Sequence, residues 1–342
     1  MSDNTTPITM KDIAREMGVS IATVSRALKN SPRISKDKRE QIQAYAREHD
    51  FTPNIIAESL RTSKTKPVKI IGVIIPEYTH YYFSSILSGI DMEASSKGYS
   101  LLVAQSGEKY EDEVRICQKF YENKVCGVIV SQAKDTKKYT HFEKLISTGI
   151  PLIFYDRICT GVNASRVVVD DYRGAFNATK HLIETGCRHI AYFGSPENLE
   201  ISKNRYNGYR DAMLQGKLMI NPDFVKMCDN RDDAEHVTRE MLEKENVPDA
   251  FFAVNDETAI GILTTAKRMG YRIPQDISIC GFTNSNHSTA CDPPLTTVEQ
   301  RGVEIGRQAA EILIGKMEGF FKKESIEKRI VKTRLVIRQS TR

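Results

Sequence analysis

Tryptophan is absent from the 342-residue chain, and the 7 cysteines are scattered, with no Cys-x-x-Cys pair among them. An odd number of dispersed thiols excludes a disulfide scaffold and suits a reducing compartment. No apolar run approaches the roughly 20 residues that span a bilayer, so no membrane partner is expected. The first residues are polar and lack the charged-then-apolar order of a secretory signal, which points to a cytoplasmic protein. Enzyme signatures are missing too: there is no phosphate-binding Gly-rich loop, no dinucleotide fingerprint after the first strand, no His-Glu-x-x-His and no nucleophile elbow. The 7 histidines show no metal-ligand spacing. No cofactor, metal or catalytic residue is therefore expected.

What is present is an ordinary globular composition, 40% hydrophobic and 27% charged, in a chain long enough for about two domains. The formal charge of +5 is unevenly spread. Residues 1–66 carry 12 basic and 8 acidic side chains, whereas the remainder carries 37 and 36. A basic head on a neutral body suits a polyanionic partner, although a solvated charged face would look the same.

The head reads as a helix-turn-helix. Thr9 and Asp12 have the spacing of a reciprocal N-terminal cap, so a helix should start near Met10 with Ile13, Ala14 and Met17 inward. Gly18 suits the left-handed turn that ends it, and Ser20 caps a second helix whose Val24, Ala27 and Leu28 share one face. Small residue, tight turn and apolar residue at this spacing let two short helices cross closely. The second helix of such a pair presents its N-terminal side chains to the major groove. Arg26 can donate a bidentate pair to guanine, while Ile21 and Ala22 offer apolar surface to a thymine methyl. Ser20, Thr23 and Ser25 have hydroxyls suited to phosphate oxygens, or simply to capping. A third helix is expected from a Ser35 cap to about His49, and residues 53–62 form a short fourth candidate that needs a partner.

The segment TMKDIAREMGVSIATVSRAL starting at Thr9, followed by Pro32 to Ser35 and by Phe51 to Asn54, resembles the DNA-binding head of the LacI/GalR family of bacterial transcription regulators. That resemblance implies a homodimer reading a palindromic operator in double-stranded DNA, with a hinge helix in the minor groove. The hinge leucine that wedges into the central base step in that family matches Leu60. Lys29 departs from the family's usual asparagine and puts one backbone contact in question, though lysine still reaches a phosphate.

Beyond the polar linker at residues 64–67, short apolar runs alternate with amphipathic stretches, the signature of parallel sheets covered by helices. The fold expected is an all-α helix-turn-helix head with hinge helix (1–66), followed by an α/β core (67–342) of two doubly wound parallel-sheet halves. One half takes residues 68–167 plus 300–328, the other 168–299 plus 329–342. Ligands of open parallel sheets bind beyond the strands' carboxyl ends, where this chain places Glu77, Tyr78, Asp156, Arg157, Asn255 and Thr283 among other polar groups.

The resemblance continues through the core, in the motifs spanning Phe154 to Arg157, Arg205 to Tyr209, Val254 to Asp256, Ile279 to Phe282 and Pro293 to Gln300. It implies a periplasmic-binding-protein-like core with effector contacts at Asp156, Arg205, Asn255 and Gln300, with Tyr78 offering a ring. A structural role is the alternative for each: a cleft-edge salt bridge for Arg205, a helix cap for Asn255. Thr283 stands where many relatives carry an acidic residue, so one hydroxyl-gripping charge is lost. A sugar or sugar derivative ranks first as effector and a purine second, with a cytoplasmic α/β sugar-modifying enzyme as the reading from another class.

Overall fold

A computed structural model describes residues 8–51, 69–322 and 324–342. The chain divides into two compact units, Met1–Val68 and Lys69–Arg342. The expected hinge helix, Leu60 and the linker lie outside the described residues.

Three helices build the head: α1 (Met10–Glu16), α2 (Ile21–Leu28) and α3 (Lys36–Glu48). The expected reciprocal cap forms, with the Thr9 amide donating to Asp12 at 3.1 Å and the Asp12 amide to the Thr9 hydroxyl at 3.3 Å. Gly18 takes φ 61° in the turn. Ser20 caps α2 through the Thr23 amide at 3.1 Å, whereas Ser35 precedes α3 without a capping side-chain bond. Ile13, Ala14, Val24, Ala27, Ile42 and Ala46 close a small core shared by all three helices.

The core unit opens with β1 (Ile70–Ile75), α4 (Tyr81–Ser96), β2 (Ser100–Gln105), α5 (Tyr110–Glu122), β3 (Gly127–Val130), α6 (Thr140–Ser147), β4 (Leu152–Tyr155) and β5 (Ser165–Val169). It continues with α7 (Asp171–Glu184), β6 (Ile190–Gly194), α8 (Glu200–Gln215), β7 (Val225–Met227), α9 (Arg231–Leu242), β8 (Ala250–Ala253) and α10 (Asp256–Arg268). Last come β9 (Ser278–Thr283), α11 (His287–Ala290), β10 (Thr296–Glu299), α12 (Gly302–Met317), β11 (Lys328–Val331) and β12 (Arg334–Val336).

The strands form two six-stranded sheets of the same order, β11-β5-β4-β3-β1-β2 and β12-β10-β9-β8-β6-β7. Each pairing is parallel except β10 with β12. Buried apolar clusters lie on both faces of each sheet, as helices on both sides require. Glycines permit the closest helix contacts: a Cβ on Gly89 of α4 would run into the Val303 carbonyl of α12, and one on Gly208 of α8 into the Tyr172 carbonyl of α7.

Two boundaries depart from the sequence reading, those expected at 167/168 and at 328/329. Residues 167–169 do not start the second half: β5 pairs with β4 and with β11, so both strands complete the first sheet. The chain therefore crosses after Val169, after Glu299 and between Val331 and Arg334. A short apolar run announces a buried strand but carries no mark of the sheet it joins.

Candidate functional site

The parallel topology sends the carboxyl ends of both sheets toward one cleft, and Asp156, Arg205, Asn255, Thr283 and Gln300 all line it. Tyr78 does not. It is 51% exposed and its hydroxyl donates to the Val103 carbonyl at 3.3 Å, so its ring leans along β2. The cavity measures about 220 Å³, below the roughly 300–1,000 Å³ of drug-sized pockets, and suits a compact ligand.

Arg205 is buried on α8. Its Nε donates to Asp171 at 2.7 Å, its Nη1 to the Val254 carbonyl at 2.6 Å, and its guanidinium lies 4.0 Å over the Phe282 ring. Nη2 has no protein acceptor among the described residues. The structural alternative for Arg205 is thus realised, with one nitrogen left over. Burial pushes the Asp171 carboxyl up to about 6 while Arg205 pulls it back down. Asn255 is committed at both ends: its Oδ1 accepts from the Thr258 amide at 2.8 Å, capping α10, and its Nδ2 donates to the Asp229 carbonyl at 2.7 Å. The neighbouring Asp256 fixes the loop carrying Thr283 by accepting from the Ser285 amide at 2.7 Å and the Thr297 hydroxyl at 2.5 Å.

Two cleft residues sit in backbone regions that side chains disfavour, Asp156 at φ 56° and Thr283 at φ 146°. Strain of this kind collects at sites where geometry matters more than stability. Asp156 is buried, and burial raises its carboxyl above the usual range against the pull of Arg157 and Arg205. The Tyr82 hydroxyl stands beside it without completing a well-formed hydrogen bond. Buried polar atoms of Asp156 (Oδ1), Gln300 (Nε2), Tyr82, His80 (Nδ1) and Arg157 (Nε) lack partners among the described residues. Native interiors seldom leave such groups unmet, and here they border one cavity.

Sequence reasoning missed the wall that ties the halves together. Arg157 Nη1 meets both Glu108 oxygens, at 2.6 and 2.7 Å, and Glu108 also accepts from the Lys134 amide at 2.9 Å. Lys134 then reaches across: its Nζ lies 2.8 Å from Asp229, and its carbonyl accepts from Asn198 at 2.7 Å. Its loop is braced by buried Glu113, which accepts from the Ala133 amide, the Thr136 hydroxyl and His141. His80 joins the wall with its imidazole pushed down to about 4, first by burial and then by Arg157.

On the head, Ala22 and Arg26 are exposed, while Ile21, Thr23 and Ser25 are half-buried. Arg26 makes no ion pair or side-chain hydrogen bond among the described residues. The Ser20 and Thr23 hydroxyls lie 2.9 Å apart, so part of their bonding is spent on each other. Lys29 is exposed at the C-terminal cap of α2.

Residues 9–54 match the model of the bacterial regulatory proteins of the lacI family, and residues 179–341 that of the periplasmic binding protein-like domain. The ribose operon repressor of Halalkalibacterium halodurans is 31% identical over 337 residues, covering 98% of this chain and 97% of the relative. The chain belongs to the lacI family. It is a DNA-binding transcriptional regulator with an effector-binding core. The repressor CytR of Escherichia coli K12 is 29% identical over 341 residues, covering 98% of this chain and 97% of CytR. Among solved structures, the Lac repressor dimer bound to operator and an anti-inducer has the same fold, with TM-score 0.84 at 23% identity over 98% of this chain and 99% of that one. A regulator from Alkaliphilus metalliredigens complexed with D-xylulofuranose gives TM-score 0.70 at 26% identity over 80% of this chain and 99% of that one. Among the described residues no helix is long and apolar enough to cross a membrane.

Proposed function

We propose that this lacI-family protein is a cytoplasmic, non-enzymatic repressor that binds a palindromic operator as a homodimer and changes its DNA affinity when a sugar or sugar derivative enters the core cleft. The observation that carries the reading is the convergence of Asp156, Arg205 and Gln300 on one cavity, with unmet hydrogen-bonding capacity on Asp156 and Gln300. A carboxylate accepts from hydroxyls and an amide or guanidinium donates to them, the pairing a sugar offers. The sugar-bound relative and the relative that represses a ribose operon support the ranking.

In the head, Ile21, Ala22 and Arg26 read base edges while Ser20, Thr23, Ser25 and Lys29 hold the backbone; Leu60 is the minor-groove wedge. In the core, Asp156, Arg205, Asn255, Thr283 and Gln300 bind the effector. Tyr78 is not part of that set. Closure of the two halves around the ligand is the two-state element, and a coupling of about 1–3 kcal/mol changes DNA affinity roughly 5- to 150-fold.

Selection of bound duplexes from a random pool at fixed salt, followed by titration of the enriched duplex with sugars, tests this reading. Recovery of a palindrome whose binding shifts with a sugar is expected. A calorimetric isotherm with a purine and no heat with any sugar would overturn the effector ranking in favour of a purine.

A further inference from the structure

Cations are plentiful around the cleft, yet each is already spoken for. Lys134 pairs with Asp229 at 2.8 Å, Arg157 with Glu108 at 2.6 Å and Arg205 with Asp171 at 2.7 Å, while Arg231, half exposed at the mouth, lies 3.2 Å from Glu235, a carboxylate it shares with Arg268 at 3.1 Å. The first three pairs are buried or half-buried. Carboxylates remain after this pairing. Asp156 lies 4.0 Å from Arg157, beyond hydrogen bonding, with Oδ1 unpartnered. Glu77 is exposed at the rim, and Glu257, near His80, pairs with His287 at 3.0 Å.

From this charge distribution we infer that the cleft selects a neutral polyhydroxyl effector and rejects its phosphorylated or acidic counterpart. The inference rests on the effector-site reading above and narrows it. A phosphate entering the cavity meets surplus negative charge, or else takes a guanidinium from its carboxylate and leaves that carboxylate buried without a cation, a strongly unfavourable exchange. A hydroxyl avoids both problems because it donates and accepts at once. It donates to Asp156 Oδ1 and accepts from Gln300 Nε2 or Arg205 Nη2, three atoms without protein partners among the described residues. A cationic ligand satisfies the carboxylate but leaves those donors unmet.

Calorimetry on the full chain with matched pairs provides the test: ribose and ribose 5-phosphate, glucose and glucose 6-phosphate, adenosine and adenosine 5′-monophosphate. The neutral member of at least one pair should bind, with its phosphorylated partner at least about 10-fold weaker, the equivalent of about 1.4 kcal/mol. In the Glu77→Gln/Glu257→Gln double variant, which changes only rim charge, that ratio should narrow about 3-fold or more. Equal or tighter binding by a phosphorylated member overturns the inference and leaves the effector site standing. An unchanged ratio in the double variant overturns surplus charge as the cause. Silence from all six compounds, in heat and in operator affinity, overturns the effector-site reading beneath the inference.

Discussion

Head and core handle charge in opposite ways. The head leaves Arg26 exposed on α2 and unpaired among the described residues, whereas the core engages Arg157 and Arg205 with carboxylates inside the fold. A side chain meant for a highly charged polyanion gains from staying solvated until contact, since phosphate and base edges supply its partners. A side chain lining a small cavity is desolvated whether or not ligand is present, so it needs a resident counter-charge. Arg26 on the head and the Asp156 and Gln300 atoms left unpartnered among the described residues of the cleft therefore contrast in how each is kept ready for its ligand.

The sharpest way to break that contrast is Arg205→Ala. It removes one partner of a buried ion pair, leaves Asp171 uncompensated, and should lower core stability by about 3–5 kcal/mol. Two-probe denaturation should show the core transition falling while the head transition holds, because the two are separate compact units. Effector binding is lost with it. Coincident loss of both transitions would contradict the independence of the units.

The same substitution in the head should be structurally silent. Arg26→Ala leaves no buried charge behind and should not shift the head's melting temperature, but should cost about 1–3 kcal/mol of operator affinity and relax discrimination at one base pair. Binding curves on single-base operator variants check this. A uniform loss on all sequences would reassign Arg26 to a phosphate.

The head was readable because its determinants are local. Thr9 and Asp12 are three residues apart, Gly18 and Ser20 adjoin the turn, and the buried set repeats at helical spacing. In the core the strands and their polar exits were readable by the same logic, which placed Asp156, Asn255 and Thr283 at the cleft, whereas Arg205, on a helix, and Gln300 came only from the family resemblance. Pairing was not. Arg157 meets Glu108 across 49 residues and Arg205 meets Asp171 across 34. No periodicity encodes such partners, and none tells β5 which sheet to join. Tyr78 failed for a related reason: following a strand places a residue near the cleft but does not orient its side chain.

A smaller effect separates the cleft's titrating groups. His80 is held down to about 4 from 6.5, so between those values the unfolded chain binds more protons and stability falls as pH falls. Asp171, pushed up to about 6 from 3.8, slopes the other way over that range. The difference between wild type and His80→Gln isolates the histidine: the variant should lose about 1–3 kcal/mol less than wild type on going from pH 7 to pH 4, one pKa unit being worth about 1.36 kcal/mol. Urea midpoints across that range measure it, and parallel pH curves would exclude His80 as the titrating group.

The smallest expected effect tests the wall between the halves. Lys134 hangs from the first half through its amide to Glu108 and reaches the second through Nζ to Asp229 and its carbonyl to Asn198. Lys134→Ala keeps both backbone bonds and deletes only the half-buried ion pair, worth about 1 kcal/mol. If that pair favours closure, effector affinity should fall about 5-fold and the loss should shrink in high salt, where screening already weakens the pair. Asp229→Asn should give a similar loss, and the double variant should add little, because both changes remove one interaction. Additive losses would mean that Lys134 and Asp229 touch the ligand separately, and the cleft would then have a free cation after all.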